Sequence, residues 1–142
     1  MISFSPFRVQ DINAILAIER LAYKAPWSKV QFTQSLDNPN VLATLISKNE
    51  QVLGYSIALR SLDSIDLLNI CIHPDYQQQG LGTQLFNKLC VTGVKDIFIE
   101  VRCSNHSALS FYKKLGFNII NIRKQYYCDG EDAKILRFSI SS

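Results

Sequence analysis

The sequence predicts an α/β fold in one domain spanning residues 1–142: a mixed, mostly antiparallel sheet of six to seven strands with helices on both faces. Three observations predict it. Segments of strand period and of helical period follow one another in the order β-α-α-β-β-β-α-β-α-β-β, so an antiparallel front half passes into a β-α-β unit. The 142 residues, 47% hydrophobic and 19% charged, suit one globular core and contain no biased tract. The stretch from Leu67 to Leu89, LLNICIHPDYQQQGLGTQLFNKL, reads as strand, glycine loop and helix, and the rest of the chain is organised around it.

Taken in order, Ile2 to Val9 alternates loosely with two Phe residues, as an edge strand does. Asp11 is placed to cap a helix whose apolar face carries Ile12, Ile15, Leu16, Ile18, Leu21 and Ala22. The break Lys24-Ala25-Pro26-Trp27-Ser28 ends it, and Ser28 caps a second short helix through about Leu36. Asp37-Asn38-Pro39-Asn40 is turn chemistry. Val41 to Ser47 and Val52 to Leu59 form a hairpin about Lys48-Asn49-Glu50, with Gly54 inside its second arm. Ser61 to Ser64 turns the chain into a strand from Ile65 to Ile72. After the glycine loop and its helix comes the apolar run Ile97 to Val101. Asn105 or Ser104 caps a helix through Leu115, which Gly116 closes. Phe117 to Ile122 and Ala133 to Ile140 are the last strands, around a turn at Asp129-Gly130.

Charge and cysteine usage narrow the class. A formal charge of +3 with Lys and Arg scattered suits a phosphate-bearing ligand or an acidic surface, and demands neither nucleic acid nor membrane. Cys71, Cys90, Cys103 and Cys128 form no CxxC, so reduced cysteines in a cytoplasmic protein are expected, without a disulfide framework or a metal site. No export signal and no run of about 18 apolar residues is found.

Gly80 and Gly82 let the backbone turn tightly and approach a ligand, and the helix that starts there leaves its first N–H groups without intrahelical partners. Such amides at the positive end of a helix make a phosphate site; each amide given to a phosphate oxygen contributes roughly 1.5 to 3 kcal/mol. For an isolated GxG a plain turn is the favoured reading, so the rest of the chain decides. A P-loop is excluded, because Thr83-Gln84 follows Gly82 where that motif needs Lys and Ser or Thr. A dinucleotide fold is disfavoured by Leu85 at the third glycine position and by the seven residues His73 to Gln79 that separate strand and glycine.

Gln77-Gln78-Gln79-Gly80-Leu81-Gly82 resembles the (Q/R)-x-x-G-x-(G/A) signature of the GCN5-related N-acetyltransferases, whose loop binds the pyrophosphate of acetyl-CoA. The element order resembles that family along essentially the whole chain. Within it, five words resemble the RimI-type branch, which acetylates the N-terminal alanine of ribosomal protein S18: Ala25 to Ser28, Asn69 to Tyr76, Glu100 to Asn105, Phe111 to Phe117, and Arg123 to Tyr127 followed by Gly130 to Ala133. Departures are Gln78 where a basic residue is common, His73 where an acidic or neutral one is, Ala25 where an aromatic often precedes Pro-Trp, and Cys128 where Pro often follows the tyrosines. The first bears on CoA affinity and the third on the substrate pocket.

The resemblance implies acetyl-CoA as co-substrate with no metal, and the N-terminal peptide of a ribosomal protein as acceptor. It gives Glu100 the amine proton and Tyr112 the role of acid toward the CoA sulfur. Backbone groups of Ile70, Cys71 and Ile72 would hold the pantetheine arm and thioester carbonyl; Gln78, Gln79, Gly80, Leu81, Gly82 and Thr83 the pyrophosphate; Asn105 the CoA further along. Trp27, Tyr126, Tyr127 and Glu131 are the expected contacts to the peptide. Read without the resemblance, Glu100 either pairs with Arg102 or a Lys or faces a polar cleft. Likewise Tyr112 is core, Asn105 is a helix cap, and Trp27 is a core anchor or the wall of a groove. Two other functions fit the same residues: transfer to a lysine, polyamine, aminoglycoside or other small amine, and CoA binding without turnover.

Overall fold

The computed structural model describes residues 1–140; the last two residues of the expected domain, Ser141 and Ser142, lie outside the described residues. Seven strands and four helices follow in the expected order: β1 Ile2–Pro6, α1 Ile12–Ala22, α2 Lys29–Leu36, β2 Val41–Lys48, β3 Gln51–Ser61, β4 Ser64–Ile72, α3 Leu81–Asn87, β5 Asp96–Arg102, α4 His106–Leu115, β6 Asn118–Arg123 and β7 Ala133–Ser139. The hydrogen-bonded strand order is β1-β2-β3-β4-β5-β7-β6. Pairing is antiparallel for β1 with β2, β2 with β3, β5 with β7 and β6 with β7, and parallel for β4 with β5. This is the mixed, mostly antiparallel sheet that the sequence predicts.

The chain falls into two compact units, residues 1–60 with 67–91, and residues 61–66 with 92–142. In the first, the apolar face of α1 packs into a core of Phe7, Ile12, Ile15, Leu16, Ile18, Phe32, Leu45, Tyr55, Ile57 and Cys71. Phe7, Phe32 and Tyr55 meet with ring centroids 5.8 to 6.0 Å apart, and Trp27 joins Phe32 at 5.1 Å, so this core is fastened by tilted and edge-on aromatic pairs. In the second, β5 lies between the first residues of β4 and β7, in register from Asp96 opposite Ser139 to Arg102 opposite Ala133. Tyr112 on α4 meets Phe117 edge-on at 5.3 Å, and Phe117 meets Phe138 at 5.6 Å.

Local chemistry sets most boundaries. Ser28 accepts from the Gln31 N–H while the Gln31 side chain accepts from the Ser28 N–H, a complete capping box at the start of α2. Asn105 caps α4 by accepting from the Ala108 N–H at 3.2 Å, and Gly116 ends it in the left-handed conformation at φ 112°. At Asp11 the expectation is modified. The residue occupies the N-cap position of α1, but its carboxylate accepts from the Arg8 N–H at 2.8 Å and so closes a 3-10 turn, Val9–Asp11, that takes in Val9, the last residue of the expected edge strand. The strand therefore stops at Pro6.

Gly54 has a particular necessity. A Cβ there would overlap the Cys71 carbonyl oxygen of β4 and stand 2.6 Å from the Ile72 Cδ1 atom. Only a residue without a Cβ lets β3 and β4 close at this point. Gly54→Ala is expected to cost about 2 kcal/mol or more in urea unfolding, because the clash is with backbone; an unchanged midpoint would show that the strands relax freely.

Candidate active site

The segment after β4 is shaped by its own side chains. His73 Nδ1 accepts from the Asp75 N–H at 3.1 Å and Pro74 opens a 3-10 turn, Pro74–Tyr76. Gln77 Nε2 reaches back to the Ile72 carbonyl at 3.0 Å. Gln78 at φ 63° and Gly80 at φ 79° are left-handed, which bends the chain into the start of α3. Gln78, Gln79 and Gly80 are exposed, Leu81 is buried in the core, Gly82 is half-buried and Thr83 exposed. The first N–H that bonds back is that of Gln84, to Gly80 O at 3.1 Å, so helix geometry turns the N–H groups of Leu81, Gly82 and Thr83 out of the helix end. The space where a Gly80 Cβ would stand is open to 4 Å. An exposed loop with clustered donors and open space over its glycine fits a pyrophosphate.

The strand before the loop presents a second set of main-chain groups. His73 donates its N–H to Leu53 O of β3 at 2.7 Å. In a regular strand, polar groups alternate in direction, so Cys71 faces β3 as His73 does, while Ile70 and Ile72 turn N–H and C=O to the opposite edge. Their carbonyls there accept from Tyr23 Oη, at 2.6 Å for Ile70, and from Gln77 for Ile72. Cys71 is buried, and desolvation pushes its thiol up to about 12, so it is a packing residue and not a nucleophile.

Below the Ala25-Pro26-Trp27-Ser28 break lies a group that the sequence reading did not single out. Glu19 is 1% exposed, and its carboxylate accepts three hydrogen bonds: from the Trp27 N–H at 2.8 Å, from Asn69 Nδ2 at 2.9 Å and from the Tyr55 hydroxyl. A buried carboxylate costs several kcal/mol to desolvate, and three donors, each worth roughly 1.5 to 3 kcal/mol to a charged acceptor, offset it. A signal was present in the pattern. Ile12, Ile15, Leu16 and residue 19 share one helical face, and an acid at the last of these core positions must meet donors from elsewhere. Trp27 itself packs on Phe32 and borders a groove of about 300 Å³ with Gln31, Gln34, Ser35, Asn38 and Leu59.

In the second unit, Glu100 is exposed on β5 and its carboxylate lies 3.6 Å from the Arg123 guanidinium. The sequence reading offered Arg102 or a Lys as its partner. Arg123 takes that place because β6 is bulged between Ile119 and Asn121, which brings Asn121 into the row of Ile135 and Glu100 and so turns Arg123 to the face of Glu100. The Tyr126 phenol lies beside Glu100, whose carboxylate holds it above its ordinary value, and under the Arg123 guanidinium at 5.5 Å. Tyr112, on α4, is buried, with its ring against Phe111 and Phe117. Asn105 spends its carbonyl oxygen on the helix cap, which leaves the amide nitrogen as the part that can contact a ligand.

Arg102 organises the loop between β6 and β7. It lies over the Tyr127 ring at 4.0 Å and donates to Asp129 at 2.8 Å and to Glu131 at 3.0 Å. Glu131 also accepts from the Ser104 N–H at 2.9 Å, and Asp132 accepts from the Gln125 N–H at 2.9 Å and from Lys124 at 3.1 Å. Of the expected peptide contacts, Tyr126 therefore lies beside Glu100, while Tyr127 and Glu131 are fastened by Arg102.

A sequence profile described as the acetyltransferase (GNAT) family matches residues 12–117. The chain is 36% identical over 148 aligned residues, 99% of each sequence, to a protein of Escherichia coli K12 named [ribosomal protein bS18]-alanine N-acetyltransferase. The crystal structure of the ribosomal-protein-S18-alanine N-acetyltransferase from Escherichia coli superposes with a TM-score of 0.88 over 100% of this chain and 96% of that one, at 36% identity. The structure of Arabidopsis thaliana NAA60 in complex with acetyl-CoA shares the fold, with a TM-score of 0.83 over 99% of this chain and 100% of that one, at 14% identity.

The loop clamp makes a pH prediction. Ser104 and Arg102 hold Glu131 below its ordinary 4.5, the Glu131 N–H holds Asp129 below 3.8, and the Gln125 N–H holds Asp132 below 3.8. Carboxylates lowered on folding contribute stability that is complete above their unfolded values and is lost as pH falls through the lowered ones. NMR shifts of the Gln125, Gly130 and Glu131 amides should stay flat from about pH 7 to 5 and move only below the ordinary carboxylate range. A transition centred above that range would contradict the clamp.

Proposed function

The chain belongs to the acetyltransferase (GNAT) family, and we propose that residues 1–142 act as one domain that moves the acetyl group of acetyl-CoA to the α-amine of an N-terminal alanine, that of ribosomal protein bS18. The observation that carries the reading is the end-to-end likeness, at 36% identity, to the Escherichia coli protein of that name. The exposed glycine loop, with donors at the start of α3 and on the free edge of β4, supports it from the chemistry of the residues.

In this reading Gln78, Gln79 and Gly80, with the N–H groups of Leu81, Gly82 and Thr83, hold the pyrophosphate. Main-chain groups of Ile70 and Ile72 hold the pantetheine arm and polarise the thioester carbonyl, whereas Cys71, expected to share that task, turns its main chain to β3; Asn105 contacts the CoA further along. The neutral amine attacks the carbonyl carbon, the C–N bond forms and the C–S bond breaks. Glu100 takes the amine proton through water, and Tyr112 gives a proton to the departing sulfur. Trp27, Tyr126, Tyr127 and Glu131 line the acceptor side, where the acids favour a basic peptide.

A magnitude supports the acceptor class, although an enzyme can reach either amine. Deprotonating an α-amine of pKa 7.7 to 8.0 at pH 7 costs roughly 1 to 1.4 kcal/mol, whereas a lysine amine near 10.4 costs roughly 4.6. A partly exposed Glu with a water needs to do only the first.

Two measurements test the reading. A peptide that begins with the alanine of bS18 should be acetylated in preference to a panel of lysine peptides, polyamines and aminoglycosides; equal or better turnover of a small amine would move the substrate elsewhere. Glu100→Gln and Tyr112→Phe should each lower kcat by about 10² to 10⁴ with that peptide. Unchanged turnover would remove the roles given to them.

A further inference from the structure

Glu19 lies one helix before the residues assigned to chemistry, and its bonds point to a task in acceptor binding. The connection from Tyr23 to Ser28 carries Trp27, and it is tied down at both ends by hydrogen bonds, to β4 at its start and back to α1 at its end. At its start the Tyr23 hydroxyl donates to Ile70 O at 2.6 Å, across 47 residues of sequence. At its end the Trp27 N–H donates to Glu19 Oε2 at 2.8 Å. The other carboxylate oxygen, Oε1, accepts from Asn69 Nδ2 of β4 at 2.9 Å and from the Tyr55 hydroxyl of β3.

One carboxylate thus joins a loop to two adjacent strands. All three donors are neutral, a phenol, an amide and a main-chain N–H, so the group is not one half of an ion pair whose replacement by apolar packing would be harmless. A residue with a single acceptor cannot serve all three. Alanine would leave the Trp27 N–H, Asn69 and Tyr55 without this partner, and the connection would be held only by the Tyr23 hydroxyl, the helix bonds at its two ends and the packing of Trp27 on Phe32.

We propose that Glu19 is a positioning residue for the acceptor: through the Trp27 N–H it fixes the Tyr23–Ser28 connection on β3 and β4, and so sets the wall against which the acceptor peptide binds. The proposal rests on the reading that Trp27 faces the acceptor. It separates Glu19 from the pyrophosphate loop, whose shape is set by His73, Gln77, Gln78 and Gly80. On the acetyl-CoA side Glu19 touches β4 only through Asn69, and β4 keeps its bonds from His73 to Leu53 and from Tyr23 to Ile70 without it, so the main effect of its loss falls on the acceptor.

Trp27 is the one tryptophan of the chain, so its fluorescence reports on this connection alone. Two variants are compared with the wild type. Glu19→Ala removes every bond. Glu19→Gln keeps the shape; its carbonyl oxygen can still accept from Trp27 while its amide faces the Tyr55 hydroxyl and a flipped Asn69. In Glu19→Ala, the KM for an alanine-starting peptide should rise about tenfold or more while the KM for acetyl-CoA stays within about twofold. Trp27 emission should shift to the red, and its quenching by acrylamide should increase. Glu19→Gln should lie between the two on both readouts. If Glu19→Ala does not fold, Glu19→Gln decides by the same split, with a rise of about threefold in peptide KM.

A folded Glu19→Ala with wild-type peptide KM and wild-type quenching would overturn the proposal. So would equal rises in both KM values, which is what general destabilisation produces. The fluorescence arm needs no substrate. If the wild type acetylates no peptide, the acceptor reading fails on its own, and unchanged quenching in both variants would then show separately that Glu19 does not hold Trp27.

Discussion

The carboxylate of Glu19, buried among neutral donors, is the constraint from which the first unit is built. It stands on the core face of α1, where Ile12, Ile15 and Leu16 precede it, and it calls for hydrogen bonds that only β3, β4 and the connection to α2 can supply. Satisfying it sets the distance of α1 from the strands and the path of the chain through Trp27. The neighbouring aromatic cluster of Phe7, Phe32 and Tyr55 then fills the space around it, so polar specificity and apolar packing act on the same few side chains. Gly54 adds the second constraint, since β3 can reach β4 beside Cys71 only without a Cβ.

The second unit solves a different problem with surface charge. Glu100, Arg123 and Tyr126 form one linked set, and Arg102 with Asp129, Glu131 and Tyr127 forms another. Exposed pairs of this kind contribute little stability each. Their effect is to give a loop between two strands a defined shape. Such a loop presents its aromatic rings and acids in a fixed arrangement.

Elements whose boundaries rest on local chemistry were legible in the sequence. Ser28, Asn105, Gly80 and Gly116 act on backbone groups within four residues of themselves, and the structure has each in the place expected, with Gln31 completing the cap at Ser28. Partners set by long-range register were not legible. Arg123 meets Glu100 because of a bulge near Ile120, and nothing in the local pattern of β6 announces a bulge. Asp11 bonds backward to Arg8 because two adjacent turns compete for it. Glu19 is hidden for the opposite reason: helical periodicity marks apolar positions, and an acid within that face carries no signal of the donors from β3, β4 and Trp27 that it meets. The glycine loop was legible as a turn, since Gly80 takes the left-handed conformation just before an apolar helix, and its ligand was legible only through the family resemblance.

The family fixes the chemistry, and the acceptor is the central claim. It is tested most directly by mass spectrometry of ribosomal proteins from cells with and without the gene for this chain. The account predicts that the N-terminal peptide of bS18 carries one acetyl group, localised by fragmentation to the α-amine of its alanine, in the first cells, and that this group is missing in the second. An identical acetylation state of bS18 in both would contradict it.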